Sequence, residues 1–251
     1  MRGATTVVPL VAGAFPTVRG AGLTHRGLIR ERNEDSILTD PSGRLWAVAD
    51  GMGGYGHGDV ASDIVIDCLE QIEDEEEPAT ALAERLSEAN TAVRRLAATP
   101  GLGQMGSTVV ALIIDRARAH FAWAGDSRGY LLRAGQLRLI TRDHTVVQNL
   151  IDQGELRPEA AEQHPESHIV TRAVGGDDGL EVEFATLPLI QGDRIMLCSD
   201  GLPRCVYEQT IEELLAGAAT AENTCRALVA EALAQGAPDN VSVIVIDIGE
   251  A

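Results

Sequence analysis

The sequence predicts an α+β fold: two packed antiparallel β-sheets flanked by α-helices, an α-β-β-α sandwich. Three observations carry this. Short apolar runs of strand length recur along most of the chain, bounded by Gly, Pro, Asp and Ser. Two longer segments with helical spacing sit between two batches of those runs. Elements grouped in this way favour sheets stacked on each other with helices outside, rather than alternating βαβ units. The 251 residues suffice for one large domain with a real core, and no linker divides them.

The elements follow in order. Residues 1–20 are expected to be an N-terminal extension ahead of a single domain over 21–251. The apolar stretch 5–15 is interrupted by Pro9 and lacks a convincing cleavage site, so a signal peptide is not expected. Asp35–Thr39 and 45–49 read as a hairpin turning at Pro41-Ser42-Gly43. Residues 60–72 and 80–97 have helical spacing, the second placing Leu82, Leu86, Ala89, Val93 and Leu96 on one face. The runs 108–114, 118–124, 130–133 and 136–140 read as a meander with turns near Asp115, Asp126 and Ala134. Residues 144–176 differ: polar, with two prolines and three of the six histidines, they read as a flap or recognition insertion. His144, His164 and His168 are expected to be exposed polar side chains. Strands resume at 181–187 and 193–198, a helix spans 220–234, and 241–248 is a final buried strand. Trp46 and Trp123 fall inside strand runs and are expected in the core.

Composition excludes some functions. The net charge of −18 argues against a nucleic-acid partner, because phosphate backbones need a basic face. Part of the charge is Glu73-Asp74-Glu75-Glu76-Glu77, expected to be a solvated loop. No apolar run approaches the ~18 residues needed to span a bilayer. Cys68, Cys198, Cys205 and Cys225 have no zinc or redox spacing and read as reduced thiols. A monomer in the cytoplasm, without a membrane partner, is expected.

The chemistry lies in carboxylates at the ends of apolar runs. Asp50-Gly51-Met52-Gly53-Gly54 ends the strand 45–49. Glu34-Asp35 follows Arg30, and Asp126, Asp200 and Asp239 stand in Gly125-Asp126-Ser127-Arg128, Ser199-Asp200-Gly201 and Pro238-Asp239-Asn240. No nucleophile elbow, dinucleotide fingerprint or P-loop is present. A set of oxygen ligands selects Mg²⁺ or Mn²⁺ over Zn²⁺. Two such ions about 3.5–4 Å apart can share a carboxylate and a hydroxide, and the natural electrophile is a phosphoryl group held by an arginine fork. Arg30 is placed to be that fork. Taken singly, each Asp reads as a turn or cap residue; Glu34 and Asp35 also fit strand-end caps, Asp126 a hairpin turn bonded to Arg128, and Arg30 a surface ion pair. The joint occurrence reverses that reading for Asp50, Asp200 and Asp239.

From about residue 22 to 248 the order and flanks of these motifs resemble the metal-dependent serine/threonine protein phosphatases of type 2C, in their compact bacterial form. The resemblance implies hydrolysis of phosphoserine and phosphothreonine in proteins, reversing a Ser/Thr kinase. Two Mn²⁺ or Mg²⁺ ions are implied, with a third in some bacterial members. Arg30 would bind substrate phosphate, with Glu34 and Asp35 supporting the metals. Asp50 would bridge both ions and Gly51 would add its carbonyl, while Asp200 and Asp239 would supply further ligands of the first metal. Asp126, with Asp200, matches the third-ion position, and 144–176 the flap. Met52 stands where animal members carry a His, and Tyr55 where many bacterial members do. The acid for the leaving oxygen is therefore Tyr55, His57 or metal-bound water. An active protein phosphatase, a phosphatase-like scaffold without turnover, and a hydrolase of small phosphate esters share these residues; intact ligand positions favour the first.

Overall fold

The structure, a computed structural model, describes residues 17–53, 57–161 and 163–249. Its elements run β1 (Thr17–His25), β2 (Asp35–Thr39), β3 (Leu45–Gly53), α1 (Gly58–Leu69), α2 (Pro78–Ala97), β4 (Met105–Asp115) and β5 (Arg118–Ala124). Then come β6 (Arg128–Arg133), β7 (Gln136–Leu139), α3 (Val146–Asp152), β8 (Glu183–Pro188), β9 (Arg194–Cys198), α4 (Glu208–Ala216), α5 (Ala221–Ala234) and β10 (Val241–Gly249). The strands form two five-stranded sheets, ordered β1-β10-β9-β6-β7 and β2-β3-β4-β5-β8. Every neighbouring pair is antiparallel.

Period-two alternation divides the core into three layers. On β3, Leu45, Ala47 and Ala49 face α1 and α2, where they meet Val65, Leu69, Leu82 and Leu86. Trp46 and Val48 face the other way and pack with Phe121, Trp123, Leu197, Ile244 and Ile246 between the sheets. On β10, Val243 and Val245 face a third cluster with Leu228 and Val229 of α5. Both tryptophans are core, as expected, at 0% and 4% exposure. Continuing the alternation puts Asp35, Asp50, Ser199 and Ser242 on the inter-sheet face, at one end of the sandwich.

Three expectations need correction. Residues 17–20 lie inside β1, which pairs along its length with β10. Gly20 and Gly22 weaken the strand signal there, but a Cβ on Gly20 would stand 2.5 Å from the Trp46 ring, so close packing requires the glycine. The segment 108–140 is not one meander. β4 and β5 belong to one sheet and β6 and β7 to the other, so the turn at Asp126 carries the chain between sheets. Finally, α4 is a short helix over a stretch assigned no element, anchored by buried Ile211 and Leu215. Residues 144–176 hold α3 and a short 3-10 turn, as an insertion with short helical pieces should. Among the described residues no helix is long and apolar enough to cross a membrane.

Candidate metal and phosphate site

The site caps the inter-sheet core. Asp35 and Asp50 sit directly opposite each other on β2 and β3. Asp35 Oδ2 accepts from Ser199 Oγ at 2.8 Å and from Ser242 Oγ at 2.6 Å, so an acid of one sheet is held by two hydroxyls of the other. Its Oδ1 is buried without a hydrogen-bond partner. Asp200 follows β9; its Oδ2 lies 2.5 Å from Arg204 Nη2, and its Oδ1 is likewise buried and unpartnered. Asp239, just before β10, accepts from Arg30 Nη2 at 2.8 Å. Asp126 is 6% exposed, in the crossover after β5, and its Oδ2 lies 3.8 Å from Arg204 Nη2.

Backbone packing and one asparagine set this geometry. Gly51 and Gly58 allow β3 to touch the start of α1: a Cβ on Gly51 would fall 2.1 Å from the Gly58 carbonyl oxygen. Asn240 clamps the loop that carries Arg30. Its Nδ2 donates to the carbonyls of Arg26 and Arg32, both at 2.9 Å, and its Oδ1 accepts from Glu34 N–H at 2.8 Å. Glu34 itself turns its Oε1 to Gly58 N–H at 3.1 Å, which places its carboxylate at the start of α1 rather than among the aspartates. Arg30 is exposed at the mouth of the cluster.

Burial dominates the electrostatics. It pushes Asp35 and Asp126 each up to about 7; the serines pull Asp35 back, and Arg204 pulls Asp126 back against repulsion from Asp200 and Asp143. Asp50 lies well above the usual carboxylate range, through burial first and then the charges of Asp35, Asp200, Asp126 and Asp239. Asp200 is raised by burial and opposed by Arg204. Repulsion from Asp239 raises it further. The Asp239 hydrogen bond raises Arg30 further.

These residues suit a hard cation. The donors are oxygens, like charges are buried together, and two carboxylate oxygens aim at no protein donor. Among the described residues no three acidic, His or Cys side chains already stand as a finished coordination shell. Arg30 and Arg204 instead engage Asp239 and Asp200 through their Oδ2 atoms.

The structure thus brings together Asp35, Asp50, Asp126, Asp200, Asp239 and Arg30, and gives Glu34 a helix-end role. Arg128 does not bond Asp126; it forms a fork on Asp143, with Nε and Nη2 at 3.0 and 2.7 Å. Tyr55 and Gly54 lie outside the described residues. His57 precedes α1 and makes no capping bond with its side chain. Sequence reasoning missed two residues. Arg204 was not singled out at all. His144, expected to be exposed, is 5% exposed and stacks on Trp123. It accepts from Gly125 N–H through Nδ1 at 3.1 Å, leaving Nε2 to face Glu183 at 3.1 Å. Burial lowers its pKa, so the neutral ring joins the flap base to the Asp126 turn. The sequence signal was its place at the start of the flap, just after a strand.

A cavity of about 610 Å³ adjoins the cluster, lined by Asp126, Arg128, Asp200 and Arg204 together with Ser167 and His168 of the flap.

The chain was compared with known proteins. A family model described as protein phosphatase 2C matches residues 19–235. The serine/threonine protein phosphatase PstP of Mycobacterium tuberculosis is 42% identical over 236 residues, which are 92% of this chain and 45% of PstP. The chain therefore spans less than half the length of that relative. The serine/threonine phosphatase stp of Listeria monocytogenes is 35% identical over 235 residues, 89% of this chain and 93% of stp. A crystal structure of the PstP catalytic domain in complex with two manganese ions superimposes with a TM-score of 0.85 at 38% identity, covering 93% of this chain and 99% of that one.

Proposed function

Since the chain belongs to the protein phosphatase 2C family, we propose that it hydrolyses phosphoserine and phosphothreonine in proteins with the help of two Mn²⁺ or Mg²⁺ ions. One observation carries this reading: five aspartates from separate elements converge at one end of the sandwich beside an exposed arginine. Asp50, Asp200 and Asp239 would hold the ions, with the Gly51 carbonyl. Asp35 would support them from behind and Glu34 through water, since its carboxylate already serves Gly58. When bound, the ions supply Lewis acidity toward the phosphoryl oxygens and acidify water.

The chain's own residues do the rest. Arg30 lends its remaining guanidinium N–H groups to phosphate oxygens, while Asp239 and the Asn240 clamp fix its direction. Ser199 and Ser242 keep Asp35 aimed across the sheets. The flap wall with Ser167 and His168 bounds the cavity where the phosphorylated segment would lie. His57 or Tyr55 would return a proton to the leaving oxygen. The substrates would be proteins phosphorylated by a Ser/Thr kinase, and the kinase itself is a natural partner. A cytoplasmic monomer acting as one domain over 21–251, with its flap at 144–176 and its first strand reaching back to Thr17, fits this reading.

The test is release of phosphate from a phosphothreonine peptide with and without Mn²⁺, repeated with Asp50→Asn and with a nucleotide as substrate. Metal-dependent turnover of the peptide, abolished in the variant, is expected. Full activity in chelator, or turnover of the nucleotide but not the peptide, would refute the reading.

A further inference from the structure

We infer that Arg204 is the chain's own cation for the Asp126–Asp200 pair, filling the place a third metal ion would otherwise take. The inference rests on the two-ion reading proposed above. Arg204 leaves the turn after β9, where its N–H donates to the Asp200 carbonyl at 3.1 Å. This local bond folds the side chain back over the acids. Nη2 then stands 2.5 Å from Asp200 Oδ2 and 3.8 Å from Asp126 Oδ2, while Nη1 stands 3.8 Å from Asp239 Oδ2.

Charge makes the position specific. Asp126 is nearly fully buried and must be compensated. The other arginine near it, Arg128, is committed to Asp143 by a fork of short bonds. His144, which holds the neighbouring Gly125, faces Glu183 with its second nitrogen. Among the described ion pairs, Asp126 and Asp200 share a single cation, and it is Arg204. A divalent ion bound between these two carboxylates would sit against a fixed positive charge a few ångströms away, a repulsion the low-dielectric cleft amplifies. The Arg204 side chain is 38% exposed and lines the cavity, so its removal opens that place to solvent without disturbing the core.

The experiment counts bound Mn²⁺ by electron paramagnetic resonance of the free ion, across a titration into the millimolar range. It uses the whole chain as wild type, Arg204→Gln, Arg204→Lys, and Arg204→Gln combined with Asp126→Ala. Two ions are expected for the wild type and for Arg204→Lys, which keeps the charge. Arg204→Gln should gain a third, weaker ion, and the double variant should lose it again. A wild type that takes up three ions, an Arg204→Gln variant that stays at two, or a third ion that survives loss of Asp126 would overturn the inference while leaving the tight pair standing. A wild type that binds no tight pair would overturn the two-ion reading and this inference with it.

Discussion

Replacing Asp35 by Asn should move stability and metal binding in opposite directions. The Asp35 carboxyl is pushed up to about 7, against about 3.9 in an unfolded chain. Its folded pKa is raised, so between about pH 4 and pH 7 the folded state keeps a proton that the unfolded state has lost. Without metal, stability therefore falls as pH rises through that window, and the penalty is complete above it. The ceiling on that penalty is about 4 kcal/mol. The amide oxygen of the variant still accepts from Ser199 and Ser242, while the amide nitrogen, at the place of the unpartnered oxygen, costs part of the gain. Removing one charge also relieves Asp50, which carries the Asp35 charge as its next cause after burial. The expected net gain is about 1–3 kcal/mol at pH 8 and shrinks to nothing near pH 4, where the unfolded chain is protonated at Asp35 as well. Urea unfolding in chelator at the two pH values measures it. Addition of Mn²⁺ should then raise Tm less in the variant than in the wild type, because the folded state binds the ions more weakly. A variant destabilised at pH 8 in chelator, or one with an undiminished response to Mn²⁺, would refute the argument that Asp35 is a strained part of a cation site.

Substitutions at two more residues probe the arginine and the flap base. Arg30→Ala removes a charge-assisted fork from bound and reacting phosphate alike, so KM for a phosphopeptide should rise about tenfold or more while kcat falls less; steady-state kinetics decide, and unchanged KM would return Arg30 to a surface ion pair. His144→Asn preserves an acceptor near the Gly125 N–H and loses the reach to Glu183, whereas His144→Gln does the reverse. Hydrogen exchange at Gly125 and Asp126 should stay slow in the first and quicken in the second, and the same rate in both would show that the ring acts by packing alone.

Much of this fold is legible in the chain because its rules are local. Short continuous apolar runs mark β3, β4, β5 and β10, strands buried on both faces, and helical spacing marks α1, α2 and α5, where it reports the buried face. Strand-end Asp-Gly and Asp-Asn pairs in a fixed order mark the candidate site, since an acid at the edge of a buried strand has few reasons to be there. What local pattern cannot carry is pairing at a distance. β1 looks like an extension because its two glycines lower strand propensity, and its partner β10 lies at the other end of the chain. The Asp126 turn reads as a hairpin, because nothing in Gly125-Asp126-Ser127 says that the next strand joins the opposite sheet. Glu34 and Asp35 are neighbours with the same charge, yet the strand turns one toward α1 and the other into the inter-sheet core. His144 becomes buried only when Trp123 and Gly125 are brought beneath it, and Arg204 becomes the partner of Asp126 only when the start of β6 pairs with the end of β9. The sequence alone determined which residue types are available for chemistry and which faces are apolar. The tertiary structure decided which charges meet, because Coulomb energy and desolvation depend on distances between segments far apart in the chain.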